Sequence, residues 1–250
     1  MIMDNITSRK NQYINHVRLL GSDSAYRREK GEFLCDGIKT IREALQFGAE
    51  VTSVLWKGRT ETVEGLDCEK QYLVPDELFD YASPMKNSPG PLFTVKERKY
   101  DAGRVKNAIV LETVQDPGNV GTVIRSANAF DIGCVVLTGQ CADLYSPKTV
   151  RSTMGAIFRQ RVIRLDTEEL PRWLEENSLV MYGAALSDKA VDARSVELSN
   201  AAVAVGSEGQ GLSRRLLDMC RGEIIIPMNP ESESLNAAVA ASVLMWEMYR

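Results

Sequence analysis

The chain contains a single histidine, His16, in 250 residues. A Ser-His-Asp triad or a histidine metal cluster needs more than one such residue in a polar N-terminal helix offers. Its five cysteines, Cys35, Cys68, Cys134, Cys141 and Cys220, are odd in number, far apart and never spaced CxxC. That usage argues against a disulfide framework or zinc site and for reduced, mostly buried thiols. No metal is expected. No uninterrupted apolar stretch approaches the ~18 residues of a membrane helix, and MIMDNITSRKNQY lacks the apolar h-region of a secretory signal. These absences lead to the expectation of a soluble, cytoplasmic protein with no membrane partner. An excess of positive charge is missing too. Lys and Arg number 30 against 34 Asp and Glu, a net charge of −4, so the total does not announce nucleic acid.

The distribution of charge says more. The first thirty residues carry Arg9, Lys10, Arg18, Arg27, Arg28 and Lys30 against Asp4, Asp23 and Glu29. A second basic cluster, Lys96, Arg98, Lys99, Arg104 and Lys106, falls in a stretch without periodicity. Each cluster reads either as a solvated face or as part of a patch that meets phosphates.

With 44% hydrophobic residues the chain can bury a sizeable core. Before residue 96 the elements are short and mixed. Helical spacing falls at 11–20 and 38–47, strands at 50–56 and 71–74, a short helix after Pro75, and a loop at 83–91. From residue 107 strand, turn and helix alternate. Strands are expected at 108–114, 134–138, 161–165, 179–186, 201–206 and 223–228, with helices at 120–130, 148–158, 168–176, 212–220 and 235–249. Continuous apolar strands alternating with helices indicate an α/β fold with a parallel sheet covered on both faces. The expected organisation is a smaller α/β domain over 1–95, a linker over 96–106 and a larger domain over 107–250. Ligands of such sheets bind at the carboxyl ends of the strands.

Three of those strand ends carry unusual chemistry. In DPGNVGTVIRSA (116–127) a turn leads into a helix for which Asn119 suits the N-cap. Arg125 lies off the apolar stripe of Val120, Val123, Ile124, Ala127 and Phe130, over Gly121, where a gap would admit an anion to the helix end. The plain alternative is a capped helix with a solvated arginine. In AVAVGSEGQGLS (202–213) the glycines run in the reverse order of GxGxxG, and no Lys-Ser/Thr pair follows. Glu208 stands among them, either beside a ligand or simply exposed. In IIIPMNPESESLNAAVAASVLMWEMYR (224–250) Ser234 and Asn236 open a helix that is apolar nearly all round. Such a helix must be buried on every side, within the chain or, as expected here, in a homodimer.

Together, DPGNVGTVIRSA, GSEGQGLS and IPMNPESESLN, in this order and spacing, resemble the SpoU (TrmH-type) RNA ribose 2′-O-methyltransferases of the SPOUT superfamily. SPKTVRSTMGAIF (146–158) is similar to the segment between the first two motifs. ITSRKNQYINHVRLLGSDSAYRREKGEFLCDGIKTIREAL (6–45) is similar to the family's accessory RNA-binding domain, related to ribosomal proteins. The resemblance implies a deep trefoil knot in the C-terminal domain and S-adenosylmethionine as cofactor. The cofactor would be held by Gly206, Ile226, Met228 and Leu235, with Leu137 and Thr138 as further candidates. It implies Arg125, Asn119, Glu208, Ser234 and Asn236 as the catalytic and active-site polar residues. The RNA contacts it implies are Arg9, Lys10, Arg27, Arg28, Lys148 and Arg151. It also implies a homodimer through the last helix. The acceptor would be a ribose 2′-hydroxyl in structured RNA, ribosomal RNA being the expected class; tRNA, or an RNA-binding protein without activity, are the alternatives. A dinucleotide-dependent oxidoreductase is disfavoured, since the first strand is not followed by GxGxxG. Two positions depart from the family pattern: Ser207 replaces a usual Asn, and Pro230 a usual Gly.

Overall fold

A computed structural model describes residues 4–98, 100, 103–229, 231 and 233–250; Pro230 lies outside them. The chain forms two compact units. One comprises Met1–Lys99 with Asp143–Phe158, the other Tyr100–Ala142 with Arg159–Arg250.

The first unit is built on β1 (Asp4–Asn5), β2 (Glu32–Asp36), β3 (Val51–Lys57), β4 (Gln71–Val74) and β5 (Leu92–Lys96), in the order β1-β4-β3-β5-β2. β1 and β3 run parallel to β4, whereas β5 runs antiparallel to both β3 and β2. The two-residue period of the strands fills both faces of this sheet. Leu34, Leu55 and Leu92 pack with Ile14, Val17 and Leu20 of α1 (Gln12–Ser22) and with Leu78 and Phe79 of α4 (Asp76–Ala82). Phe33, Cys35, Val54, Trp56 and Phe93 pack with Ile41 and Ala44 of α3 (Ile38–Gln46). The remaining helix of this stretch, α2 (Ser24–Lys30), begins at Asp23, whose carboxylate accepts from the amides of Ala25 and Tyr26.

The segment Asp143–Phe158 belongs to the same core. Val150, Ile157 and Phe158 join the cluster around Phe33, and the Tyr145 ring stacks on Phe33 at 4.6 Å. Its helix α6 (Pro147–Ser152) stops well short of the expected 158, and a 3-10 turn, Ala156–Phe158, follows. The break falls at Met154 and Gly155, both with positive φ; a side chain at Gly155 would collide with the Glu43 carboxylate.

Arg27 corrects one sequence expectation. It is 5% exposed, its Nε and Nη2 donate to Asp143 Oδ2 at 3.1 and 2.5 Å, and Nη1 donates to the Leu20 carbonyl at 2.6 Å. A guanidinium held inside the unit by a carboxylate and a carbonyl offers no edge to an RNA phosphate. Arg9, Lys10, Arg28, Lys148 and Arg151 are exposed.

The second unit is a seven-stranded, wholly parallel sheet. Its strands are β6 (Ala108–Glu112), β7 (Cys134–Thr138), β8 (Val162–Arg164), β9 (Val180–Ala184), β10 (Val191–Asp192), β11 (Ala201–Val205) and β12 (Gly222–Ile225). Their order is β10-β12-β9-β11-β6-β7-β8. β6, β7 and β11 are buried along their whole length, as mainly apolar strands covered on both faces are; the carboxylate at the end of β6, Glu112, accepts from the Ser213 amide and hydroxyl at 2.6 Å. Helices α5 (Pro117–Ala129), α7 (Leu170–Asn177), α8 (Arg214–Leu217) and α9 (Ala237–Tyr249) complete the unit. From β6 the chain builds outward through β7 and β8, then returns to the other side of β6. The junction between β6 and β11 is therefore the switch point, where α/β sheets open a crevice for ligands.

Helix α9 buries Ala237, Ala238, Ala241, Leu244, Met245 and Met248. Within the chain its other face stays open. Val239 is 48% exposed, Val243 42%, Trp246 53% and Tyr249 57%, and Phe130 of the second unit packs edge-on to Trp246 at 5.7 Å. Among the described residues no helix is long and apolar enough to cross a membrane, and no group of His, Cys, Asp and Glu is placed to hold a metal ion.

Candidate active site

The strand ends at the switch point wall two adjacent cavities. One, of about 440 Å³, lies against Gly206–Leu212 after β11, Ile226 and Met228 after β12, and Ala184–Ser187 after β9. Ser234, Leu235 and Ala237 close it. The other, of about 350 Å³, is lined by Thr113–Asp116 after β6, by Asn119, and by Ser207–Gln210 and Ala237, which it shares with the first.

The turn between the cavities depends on glycine. A Cβ on Gly206 would lie 2.5 Å from the Leu212 nitrogen and closer still to the Gly211 carbonyl. Gly211 itself sits at φ +65°. The turn thus folds back on itself, its Gly211 amide donating to the Ser207 carbonyl at 2.8 Å, and projects Glu208 into both cavities.

Glu208 is the hub of the site. Its Oε1 accepts from Asn119 Nδ2 at 2.8 Å, from Asn236 Nδ2, and from the Ala237 amide at 3.3 Å. Asn236 Nδ2 also donates to Asn119 Oδ1 at 3.1 Å. Among the described residues Oε2 makes no hydrogen bond. Residues 119, 208 and 236, far apart in sequence, thus form one triangle with a free carboxylate oxygen.

Local capping explains how the two asparagines reach it. Asn236 caps α9, its Oδ1 accepting from the Ala238 and Val239 amides at 3.0 and 3.2 Å, which fixes the amide so that Nδ2 faces Glu208. Asn119 does not cap α5, contrary to the sequence reading. Asp116 takes that place, accepting from the Asn119 amide at 3.0 Å, with Pro117 in the first helical position. Being inside the helix leaves the Asn119 side chain available to Glu208. Nor is Gly121 a gap, since it is buried with Val120, Val123 and Ile124.

The other expected residues divide. Gly206, Ile226, Met228, Leu235 and Ser234 all line the larger cavity. Leu137 and Thr138 do not; both are fully buried at the end of β7, where the Thr138 hydroxyl meets that of Thr167 at 3.1 Å. Arg125 is exposed on α5 and, among the described residues, has no hydrogen bond or ion pair. It stands outside the triangle.

Sequence reasoning missed several wall residues. Gln115 and Gln210 place two amides in the smaller cavity. Thr113 turns the chain out of β6 at φ +55°, a conformation β-branched residues rarely hold. Glu223 and Ser187, hydrogen-bonded to each other, put a carboxylate and a hydroxyl in the wall of the larger one. Their only sequence signal was position at the end of a strand or within a strand otherwise apolar.

Comparison with known proteins decides the lineage. Residues 106–246 match the SpoU rRNA Methylase family. The chain belongs to that family. Its relatives include the Bacillus subtilis 23S rRNA (guanosine(2553)-2′-O)-methyltransferase RlmP, 29% identical, with 98% of this chain and 99% of that protein covered. The 23S rRNA (uridine(2479)-2′-O)-methyltransferase of Streptomyces viridochromogenes is 28% identical over 98% of this chain and 91% of its own length. Among solved structures, the AdoMet-bound rRNA methyltransferase of Sinorhizobium meliloti superposes with a TM-score of 0.88 at 25% identity, covering 98% of this chain and 97% of that one. For a SpoU-family chain, the matched stretch holds every residue of the Asn119–Glu208–Asn236 triangle.

Proposed function

We propose that the larger cavity holds S-adenosylmethionine and that the Asn119–Glu208–Asn236 triangle beside it receives the acceptor ribose. The enzyme is an S-adenosylmethionine-dependent RNA 2′-O-methyltransferase, and ribosomal RNA is its substrate class, in keeping with the 23S rRNA enzymes it resembles. The observation that carries the reading is the triangle itself, since one carboxylate borders both cavities.

The cavity fits the cofactor. Its volume lies in the roughly 300–1,000 Å³ range of small-molecule sites, and apolar Ile226, Met228 and Leu235 face a few polar groups. The bound cofactor supplies a methyl already activated by its sulfonium charge. What remains for the protein is the acceptor, a weakly acidic hydroxyl that must be aligned and must lose a proton. Glu208 Oε2 accepts the hydrogen bond of the 2′-hydroxyl, while Asn119 and Asn236 hold the carboxylate still through Oε1. Arg125 is permanently charged; it binds the neighbouring phosphate and steadies the alkoxide as it forms. The proton leaves through Glu208, solvent or a phosphate oxygen, not through the guanidinium.

Further parts belong to the same reading. The C-terminal stretch threads a trefoil knot, supported by Asn236 reaching back to the turn after β11. The first unit, with residues 1–95, binds RNA. Two chains pair through the open face of α9, supported by the exposed Val239, Val243, Trp246 and Tyr249. The Arg125→Ala variant tests the assignment. It should lose at least ~100-fold in kcat and bind S-adenosylmethionine within twofold of wild type. Equal loss of cofactor binding would contradict it.

A further inference from the structure

On the first unit, Tyr81 of α4 gathers two guanidiniums. Arg9 Cζ stands 4.6 Å and Arg18 Cζ 4.4 Å from the centre of its ring. Arg18 Nη1 also donates to the phenolic oxygen at 2.8 Å. Both arginines are exposed, and among the described residues neither is ion-paired. Among the described residues no carboxylate of α4 pairs with either arginine. Asp80 is taken by Lys57 Nζ at 2.6 Å, and Glu77, one turn before Tyr81, forms no ion pair among the described residues. The ring attracts each cation, but two permanent like charges sharing one ring repel each other until an anion joins them.

We infer that Arg9, Tyr81 and Arg18 form an anchor for the phosphodiester backbone of the RNA substrate. The inference rests on the RNA methyltransferase reading and adds to it a site and a ligand chemistry. A free aromatic face would stack a base. Here two guanidiniums stand over the ring, and a guanidinium carries a fork of N–H donors that matches phosphate oxygens. Tyr81 serves as a platform, fixing two long side chains that would otherwise lose conformational entropy on binding. A phosphate contact carries no base information. The anchor therefore raises affinity for RNA without choosing the nucleotide to be methylated.

Anisotropy titration of a fluorescent ribosomal RNA fragment with the full-length protein, repeated over a salt series, tests this. Each phosphate-binding arginine removed should lower the slope of log affinity against log salt by about 1. The double variant Arg9→Gln/Arg18→Gln should therefore lose about 2 in slope, equally for unrelated RNA sequences, with the kinetic loss falling on KM more than on kcat. Tyr81→Leu, which keeps both charges but removes the platform, should weaken binding by less than the double variant, and Tyr81→Phe by less again. Arg172→Gln, which removes an exposed charge paired with Glu176 on the second unit, should leave the slope at its wild-type value. A double variant with the wild-type melting temperature and an unchanged salt slope overturns the anchor. If wild-type protein, given S-adenosylmethionine, methylates that ribosomal RNA in a parallel assay, the anchor alone has failed. If wild-type protein neither binds nor methylates ribosomal RNA, the methyltransferase reading has failed as well.

Discussion

Replacing Gly206 with alanine should damage cofactor binding far more than one added methyl suggests. The new Cβ would meet the Leu212 nitrogen at 2.5 Å and the Gly211 carbonyl at less. These are backbone atoms, so no rotamer change relieves the clash and the turn after β11 must open. Overpacking of this kind costs roughly 1–3 kcal/mol. At about 2–4 °C per kcal/mol for a chain of this size, the melting temperature should fall by between about 2 and 12 °C. The turn that moves carries Glu208 and lines both cavities. Affinity for S-adenosylmethionine should therefore fall at least ~10-fold, or about 1.4 kcal/mol. Gly209 provides the contrast: a Cβ there meets nothing within 4 Å, so Gly209→Ala should change stability by no more than about 0.5 kcal/mol. Thermal melts and calorimetric titration with the cofactor, run on both variants, read the two effects separately. Wild-type cofactor affinity in Gly206→Ala would refute the placement of this turn at the cofactor wall.

Other consequences can be checked more briefly. Glu208→Gln must keep an oxygen facing its three donors, which leaves an NH₂ where the 2′-hydroxyl needs an acceptor; kcat should drop ~100-fold or more, and a loss below tenfold would remove Glu208 from that role. The Glu32 carboxyl is held below its ordinary range by its hydrogen bond to His16, against the opposing effect of partial burial. Its stabilising contribution is present above the unfolded value near ~4.3 and is lost as pH falls through the lower folded one. Denaturant titrations should accordingly show Glu32→Gln costing up to about 1 kcal/mol at pH 6, and a cost that shrinks steadily as pH is lowered below the unfolded value; a cost that does not change with pH would contradict the pairing. Trp246→Glu places a charge on the exposed face of α9 and should convert a sedimenting dimer into a monomer, whereas wild-type protein already monomeric at micromolar concentration would end the dimer proposal.

The strand ends drew attention to the three segments of this site, but the plain alternatives stayed open there, and the roles of Asn119, Glu208 and Asn236 came from the family resemblance. Strands as apolar as the first four residues of β6 and β7 and the whole of β11 announce themselves, and the polar residues that follow stand out against that background. The strands β2 and β5 are not evident in the sequence: EFLCD carries a charge at each end, and LFTVK follows directly on the Pro- and Gly-rich loop. Asn119 was given the wrong local role because Asp116, Pro117 and Asn119 are all good helix openers. Only the backbone shows that Asp116 caps and Asn119 turns inward. Arg27 looked like its neighbour Arg28, and its burial follows from Asp143, 116 residues away. Composition cannot foresee a long-range partner of that kind. The triangle itself was legible as three motifs, but not as a single hydrogen-bonded unit.

The chemistry of the product tests the central claim most directly. Purified protein is incubated with ribosomal RNA and S-adenosylmethionine labelled in the methyl group, and the RNA is then hydrolysed in alkali. Cleavage by alkali requires a free 2′-hydroxyl, so a 2′-O-methyl leaves its label in an uncleaved dinucleotide. The account predicts label in that alkali-resistant dinucleotide with wild-type protein and its near-complete loss with Arg125→Ala. Label released as a methylated mononucleotide, or undiminished labelling by the variant, would contradict it.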